Sequence, residues 1–290
     1  MLKIVRMLLV AGAVAAPVAA WAAGGEEIHI ARQPWSFSGI TGTFDKAQLQ
    51  RGYQVYKEVC ATCHGMRRIA FRNLYEAGGP GFPEEGVKAL AATFKVMDGP
   101  NDDGKMFERP AKPSDRFPSP YQNEKEARSI HNGAYPPDLS VMAKARGIEN
   151  TSPWYQQLFW DMPRDIVMGY QEGGADYVYA VLTSYADAPS SFTMADGMNY
   201  NKAFPGYQIA MANPFAGGDG LVKYTKGADG RPGAPETVDQ YSRDVTAFLM
   251  WAADPTLEQR KSMGWAVMIY LLVTSLLLFI AKKRVWASAH

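Results

Sequence analysis

The run Cys60-Ala61-Thr62-Cys63-His64 sets two thiols three positions apart, with an imidazole directly behind the second. On a helical turn that spacing brings both sulfurs to one edge of a porphyrin, where they can add across its vinyl groups. The next residue then reaches the iron as an axial ligand. One covalently attached haem c is the expected chemistry. A thioredoxin-like redox pair needs a βαβ context that the surrounding pattern does not offer. Half of a zinc site needs further ligands, and the chain holds 2 Cys and 4 His in all.

The second face of the iron takes a ligand from the other His or Met side chains. His29 and His290 lie near the ends of the chain, and His131 sits in Ile130-His131-Asn132-Gly133. Met211 belongs to Pro205-Gly206-Tyr207-Gln208-Ile209-Ala210-Met211-Ala212-Asn213-Pro214, a loop that Pro and Gly stiffen. A thioether held still suits the position, and a core-filling Met is the plain alternative. Residue type and spacing leave Met211 and His131 both open.

Helices have to position these groups. Leu49, Tyr53, Tyr56, Cys60 and Cys63 recur at three-to-four-residue spacing after Asp45, a good N-cap. The pattern predicts one amphipathic helix that carries both thiols. Farther on, Thr237 and Gln240 form a candidate capping box before Val238, Tyr241, Val245, Phe248, Leu249 and Ala252. That stripe predicts a second helix, buried against the first.

The two ends read differently. Lys3 and Arg6, an apolar run from Met7 to Ala16, Pro17 and Ala20-Trp21-Ala22 predict a secretory signal over 1–22 and an exported body over 23–262. Gly264 to Ala281 is free of charge and precedes Lys282-Lys283-Arg284. A transmembrane helix over 263–281, roughly 27 Å long, is expected, with the basic tail 282–290 on the cytoplasmic side. The chain has 30 basic and 29 acidic residues; without Lys3, Arg6, Lys282, Lys283 and Arg284 the body holds 25 basic against 29 acidic, a net −4. Such a balance speaks against a nucleic-acid partner. No nucleophile triad, phosphate loop or paired-carboxylate motif stands out, so the chemistry is expected to be the cofactor's.

Further segments accompany the Cys-His run: Arg72-Asn73-Leu74, Asn132-Gly133-Ala134-Tyr135-Pro136-Pro137-Asp138-Leu139-Ser140 and Lys144-Ala145-Arg146. Asp176-Tyr177-Val178-Tyr179, Phe204-Pro205-Gly206 with Ile209-Ala210-Met211, and the stretch from Asp244 to Ala253 follow. In this combination, over most of the mature chain, the sequence resembles the cytochrome c1 family. The resemblance implies a mainly α fold: a class I cytochrome c-like haem domain with long loops and insertions, plus one C-terminal transmembrane helix. It implies that Met211 is the axial ligand, that Arg146 and Tyr177 contact the haem propionates, and that Pro136 and Pro137 pack beside the ring. It also implies an electron-transfer subunit of the ubiquinol–cytochrome c reductase (bc1) complex in a bacterial inner membrane, with the haem domain on the periplasmic side. Cytochrome b and a Rieske iron–sulfur protein would be its neighbours, and a soluble or membrane cytochrome c its acceptor. Two rivals stand beside this reading. A free-standing membrane-anchored cytochrome serving a terminal oxidase shares every motif except the extended ones, and a haem-based gas sensor needs an open or labile sixth site.

Two stretches depart from a plain reading. Gly147 to Ala175 is longer than the same connection in many relatives, and its Trp154-Tyr155 and Leu158-Phe159-Trp160 argue against a disordered linker. It is left to cover the haem or to touch a neighbouring subunit. Pro80 to Pro120, with Glu84, Glu85, Asp98, Asp102 and Asp103, predicts irregular solvated surface. There the resemblance implies an acidic landing site for a basic cytochrome c.

Overall fold

The structure, a computed structural model, describes residues 28, 30–147, 152–168, 173–224 and 233–287. The expected signal segment lies outside them. The first helix, α1 (Lys46–Val55), starts where Asp45 accepts from the backbone N–H groups of Ala47 and Gln48 at 2.9 and 3.4 Å. It runs on through a π turn, Tyr56–Cys60. The expected regular helix therefore stops short of Cys63, which sits in the following turn, where Cys63 N and His64 N both donate to the Cys60 carbonyl.

Its main packing partner is α8 (Val238–Ala253), as the apolar stripe predicted. Tyr241, Val245, Phe248, Leu249 and Ala252 are buried on it. Only half of the expected capping box forms. Thr237 accepts from Gln240 N at 3.3 Å, but the Gln240 amide turns to Asp244 at 2.8 Å, because a buried carboxylate is the stronger acceptor. At the crossing, a Cβ on Gly52 would lie 2.0 Å from the Asp244 carbonyl oxygen, so only glycine lets the helices meet this closely. Tyr53, Tyr56 and Phe117 fill the space beside Phe248, and Trp251 stacks behind it.

The stretch between Pro80 and Pro120 corrects the expectation of irregular surface. It holds α2 (Glu84–Ala92) and a two-stranded antiparallel hairpin, β1 (Lys95–Asp98) with β2 (Phe107–Pro110). Of the named carboxylates, Glu84 and Glu85 pair with Lys88, and Asp98 pairs with Arg109. Asp102 and Asp103 are exposed on the connection between the strands.

Next come α3 (Glu124–Ile130) and α4 (Met142–Ala145). Within the long connection, the described residues 152–168 hold α5 (Trp154–Gln156), a π turn Gln157–Asp161 and α6 (Met162–Met168). Then α7 (Gly173–Thr183) packs on α4 and α8. Asp176 on α7 fastens the N-terminal segment, accepting from Gln33 N at 3.0 Å and Trp35 Nε1 at 2.7 Å. A short pair, β3 (Asn199–Tyr200) with β4 (Gln208–Ile209), braces the Met211 loop. The chain closes with α9 (Leu257–Ala287), 31 residues whose apolar stretch is wholly exposed. Long and uncharged over 18 positions, it is the C-terminal membrane helix.

Candidate haem site

The π turn and the turn after it present Cys60, Cys63 and His64 together, with both thiols free and partly exposed. Burial pushes the Cys60 thiol up to about 12, and the neighbouring Cys63 adds to the shift. Among the described residues, no three His, Cys, Asp or Glu side chains gather in a way that would hold a metal ion such as zinc.

His64 is oriented by a second segment. Its Nδ1 lies 2.8 Å from the Pro137 carbonyl oxygen, which can only accept, so Nδ1 carries the proton and Nε2 keeps its lone pair. Burial lowers the imidazole's pKa and His131 adds to this, against the opposing pull of the Pro137 bond and Asp138, which keeps the ring neutral. The Pro137 carbonyl is itself fixed by three further bonds between the same two segments. Leu139 N donates to the Gly65 carbonyl at 2.9 Å, Arg67 N to Asp138 Oδ2 at 2.8 Å, and Arg68 N to Ser140 Oγ at 3.0 Å. Tyr56, buried in the core, donates to the His64 carbonyl at 3.2 Å. Together these bonds clamp the imidazole from both sides along its backbone.

Asp138 and Ser140 were not singled out for a role in the sequence. The signal was available, since an Asp two residues before a Ser at the start of a short turn is a capping pattern. Here Asp138 does cap the turn, accepting from Ser140 N at 3.0 Å. Tyr121 was missed as well. Its hydroxyl lies 2.5 Å from His131 Nε2 and also faces Cys63. Nothing in the linear spacing pairs positions 121, 131 and 63.

A second group of named residues lies on α7 and around β4. Tyr177 is half-buried, and burial raises its pKa while the nearby Arg146 charge pulls it down. Arg146 is exposed, just past α4. Gly174 brings α7 against α4, because a Cβ there would meet the Ala143 carbonyl oxygen at 2.0 Å and the Arg146 carbonyl oxygen at 2.4 Å. Met211 is partly buried against the main core and against the smaller cluster of Val181, Ala203 and Ile209, to which Tyr177 also belongs. Tyr185 donates to the Met211 carbonyl at 3.1 Å. Pro136 is partly buried and Pro137 exposed. The named residues thus fall into two groups, one around His64 and one around Met211.

The donor set fits a c-type haem: two unpaired thiols on one turn, a neutral imidazole with one ring nitrogen already spoken for, and a thioether on a braced loop. A model of the Cytochrome C1 family matches residues 35–289. The cytochrome c1 of Blastochloris viridis is 46% identical over 284 residues, which cover 98% of this chain and 95% of that one. The cytochrome c1 of Rhodospirillum rubrum is 38% identical over 297 residues, covering 97% and 96%. A protein of Bradyrhizobium diazoefficiens named cytochrome b/c1 is 49% identical over 257 residues; the match takes in 88% of this chain but 35% of that longer one. On this breadth of similarity the chain belongs to the cytochrome c1 family.

Proposed function

We propose that this protein is the membrane-anchored electron relay of a bacterial ubiquinol–cytochrome c reductase, taking an electron from a Rieske iron–sulfur protein and passing it to a cytochrome c. Family membership implies a c-type haem, and a relative named for both cytochrome b and c1 supports assembly with a cytochrome b. When bound, the haem supplies a one-electron iron couple. In this reading Cys60 and Cys63 would hold it through thioethers, and His64 would offer Nε2 as a ligand to the iron. Donation of Nδ1–H to Pro137 makes that ligand more basic. Met211 would supply a thioether as the second protein ligand, a choice that favours a raised potential. Tyr121 already engages His131 Nε2, which supports Met211 over His131 as sixth ligand. Arg146 and Tyr177 meet the propionates with charge-assisted hydrogen bonds, and Pro136 and Pro137 exclude water beside the ring. With His64 and Met211 both offered as ligands, the site would favour electron transfer over gas binding.

The single observation that carries the proposal is the His64–Pro137 bond inside a Cys-x-x-Cys-His turn. The haem domain over 23–262 is assigned to the periplasmic side, the anchor to the inner membrane and 282–290 to the cytoplasm. The test is to purify the complex from membranes, record its haem spectrum and identify its subunits. The expected result is a haem that survives acid–acetone extraction, co-purification of a cytochrome b and an iron–sulfur protein, and reduction by quinol. Colourless protein with both sulfhydryls free to alkylate overturns the haem assignment. Ready carbon monoxide binding to the ferrous form overturns the relay.

A further inference from the structure

The helical excursion α5–α6 is built inside out. Gln157, Asp161 and Asp165, four residues apart, form its half-buried stripe, while Trp154, Tyr155, Leu158, Phe159, Trp160 and Met162 are exposed. Trp154, Phe159 and Trp160 are 73%, 71% and 68% exposed, far more than such rings are left in water on a soluble surface. The π turn Gln157–Asp161 contributes to the segregation. A π turn rotates less per residue than an α turn, so Trp160, which a regular helix would carry toward the polar side, stays with the apolar residues.

The excursion is rooted beside the membrane anchor. Lys144 on α4 pairs at 2.7 Å with Asp254, which lies just before α9, and Asp254 also pairs with Arg260 at 2.6 Å. Past the excursion, Gly174 of α7 packs against Ala143 of α4. From Leu257 to Gly264, where the uncharged stretch starts, a helix rises about 10 Å. Gly147 to Pro153 can reach roughly 23 Å when extended. The chain length of the tether is therefore enough for the Trp-rich face to reach the bilayer surface, the zone that Trp265 near the start of the uncharged stretch of α9 also suits. Trp and Tyr are the residues that favour that zone.

We infer that the apolar face of Trp154–Met162 lies in the lipid–water interface beside α9, as a second, in-plane membrane contact. The charged residues of the excursion, Asp161, Arg164 and Asp165, offer no cationic surplus, so the contact is made through apolar area and does not require anionic lipid. The inference rests on α9 crossing a bilayer, and the test separates the two.

The whole complex is reconstituted into phosphatidylcholine vesicles. Because the chain's own 2 cysteines are taken up by the haem, a nitroxide can be placed at a single new thiol in F159C, R164C or L272C. The expected result is a label at 159 that collides several-fold more often with oxygen than with a water-soluble nickel chelate, the reverse ratio at 164, and lipid exposure at 272. Preference for the nickel chelate at 159 overturns the proposal by placing that face in water. A label at 159 shielded from both quenchers overturns it in favour of a neighbouring subunit. Absence of lipid exposure at 272 overturns the anchor itself, and the in-plane contact with it.

Discussion

Arg51 grips Asp244 with two parallel bonds, Nε to Oδ2 at 2.8 Å and a terminal nitrogen to Oδ1 at 3.1 Å, joining the helix that leads into the thiol-bearing turn to the helix that backs it. The Asp244 side chain is fully buried and also accepts from Tyr224 at 2.9 Å and Gln240 at 2.8 Å, while the guanidinium is about a quarter exposed. Arg51→Leu would leave a buried carboxylate without its cation. Removing one partner of a buried pair costs about 3–5 kcal/mol, and partial exposure of the arginine points to the lower end. The urea midpoint of the haem domain, followed by the Soret band, reads this directly. A loss below about 1 kcal/mol would class the pair with weak surface bridges.

Asp138 steadies the segment that holds His64 without touching the imidazole. Asp138→Ala removes the bonds to Arg67 N and Ser140 N that hold the Pro137 carbonyl against His64. About 1 kcal/mol of stability should go with the lost cap. A less firmly held Nδ1–H bond makes His64 a poorer donor, so the midpoint potential should rise. A redox titration of the variant checks the sign. An unchanged potential with the stability loss intact would reduce Asp138 to a cap alone.

The helices were legible because their signals are local. Asp45 and Thr237 cap the helices they were expected to cap, and the Tyr241 to Ala252 stripe is buried as its spacing predicted. The thiols and His64 were legible for the same reason. What escaped depends on contacts between distant segments. The Pro137 carbonyl lies 73 positions from His64, and its grip on Nδ1 follows from how α4's approach seats the Pro-Pro-Asp turn on the Cys60–His64 turn. Gly52 reads as an ordinary helix-weakening glycine until α8 arrives over it. The hairpin after α2 was hidden by polar, Pro- and Gly-rich composition, in which a four-residue strand leaves little periodic trace.

Met211→Leu keeps the volume in the braced loop and removes the sulfur. If Met211 is the sixth ligand, the potential falls and the ferrous iron becomes open to carbon monoxide. The loop's own packing should survive, since Tyr185 holds the residue through its backbone carbonyl. Absorption spectra with and without carbon monoxide decide the matter. An unchanged spectrum rejects the assignment.

Acid should attack the joint between the haem domain and its anchor. Burial acts to raise the Asp254 pKa, but the hydrogen bonds from Lys144 and Arg260 outweigh it and hold the carboxyl below its ordinary 3.8. A depressed carboxyl contributes stability that is complete above the unfolded value and is lost as pH falls through the lower folded one. In wild type, the thermal midpoint of the Soret band should therefore drop steeply below about pH 4. Asp254→Asn gives up charge-assisted bonds at every higher pH, at a cost of about 1.5–3 kcal/mol. In return it has nothing to titrate, so its acid limb should be shallower and the two curves should converge toward low pH. Because Lys144 belongs to α4 and Arg260 to α9, the same protonation should loosen both the root of the Trp-rich excursion and the first turn of the anchor. Parallel curves for the two proteins would show that the acid sensitivity lies elsewhere.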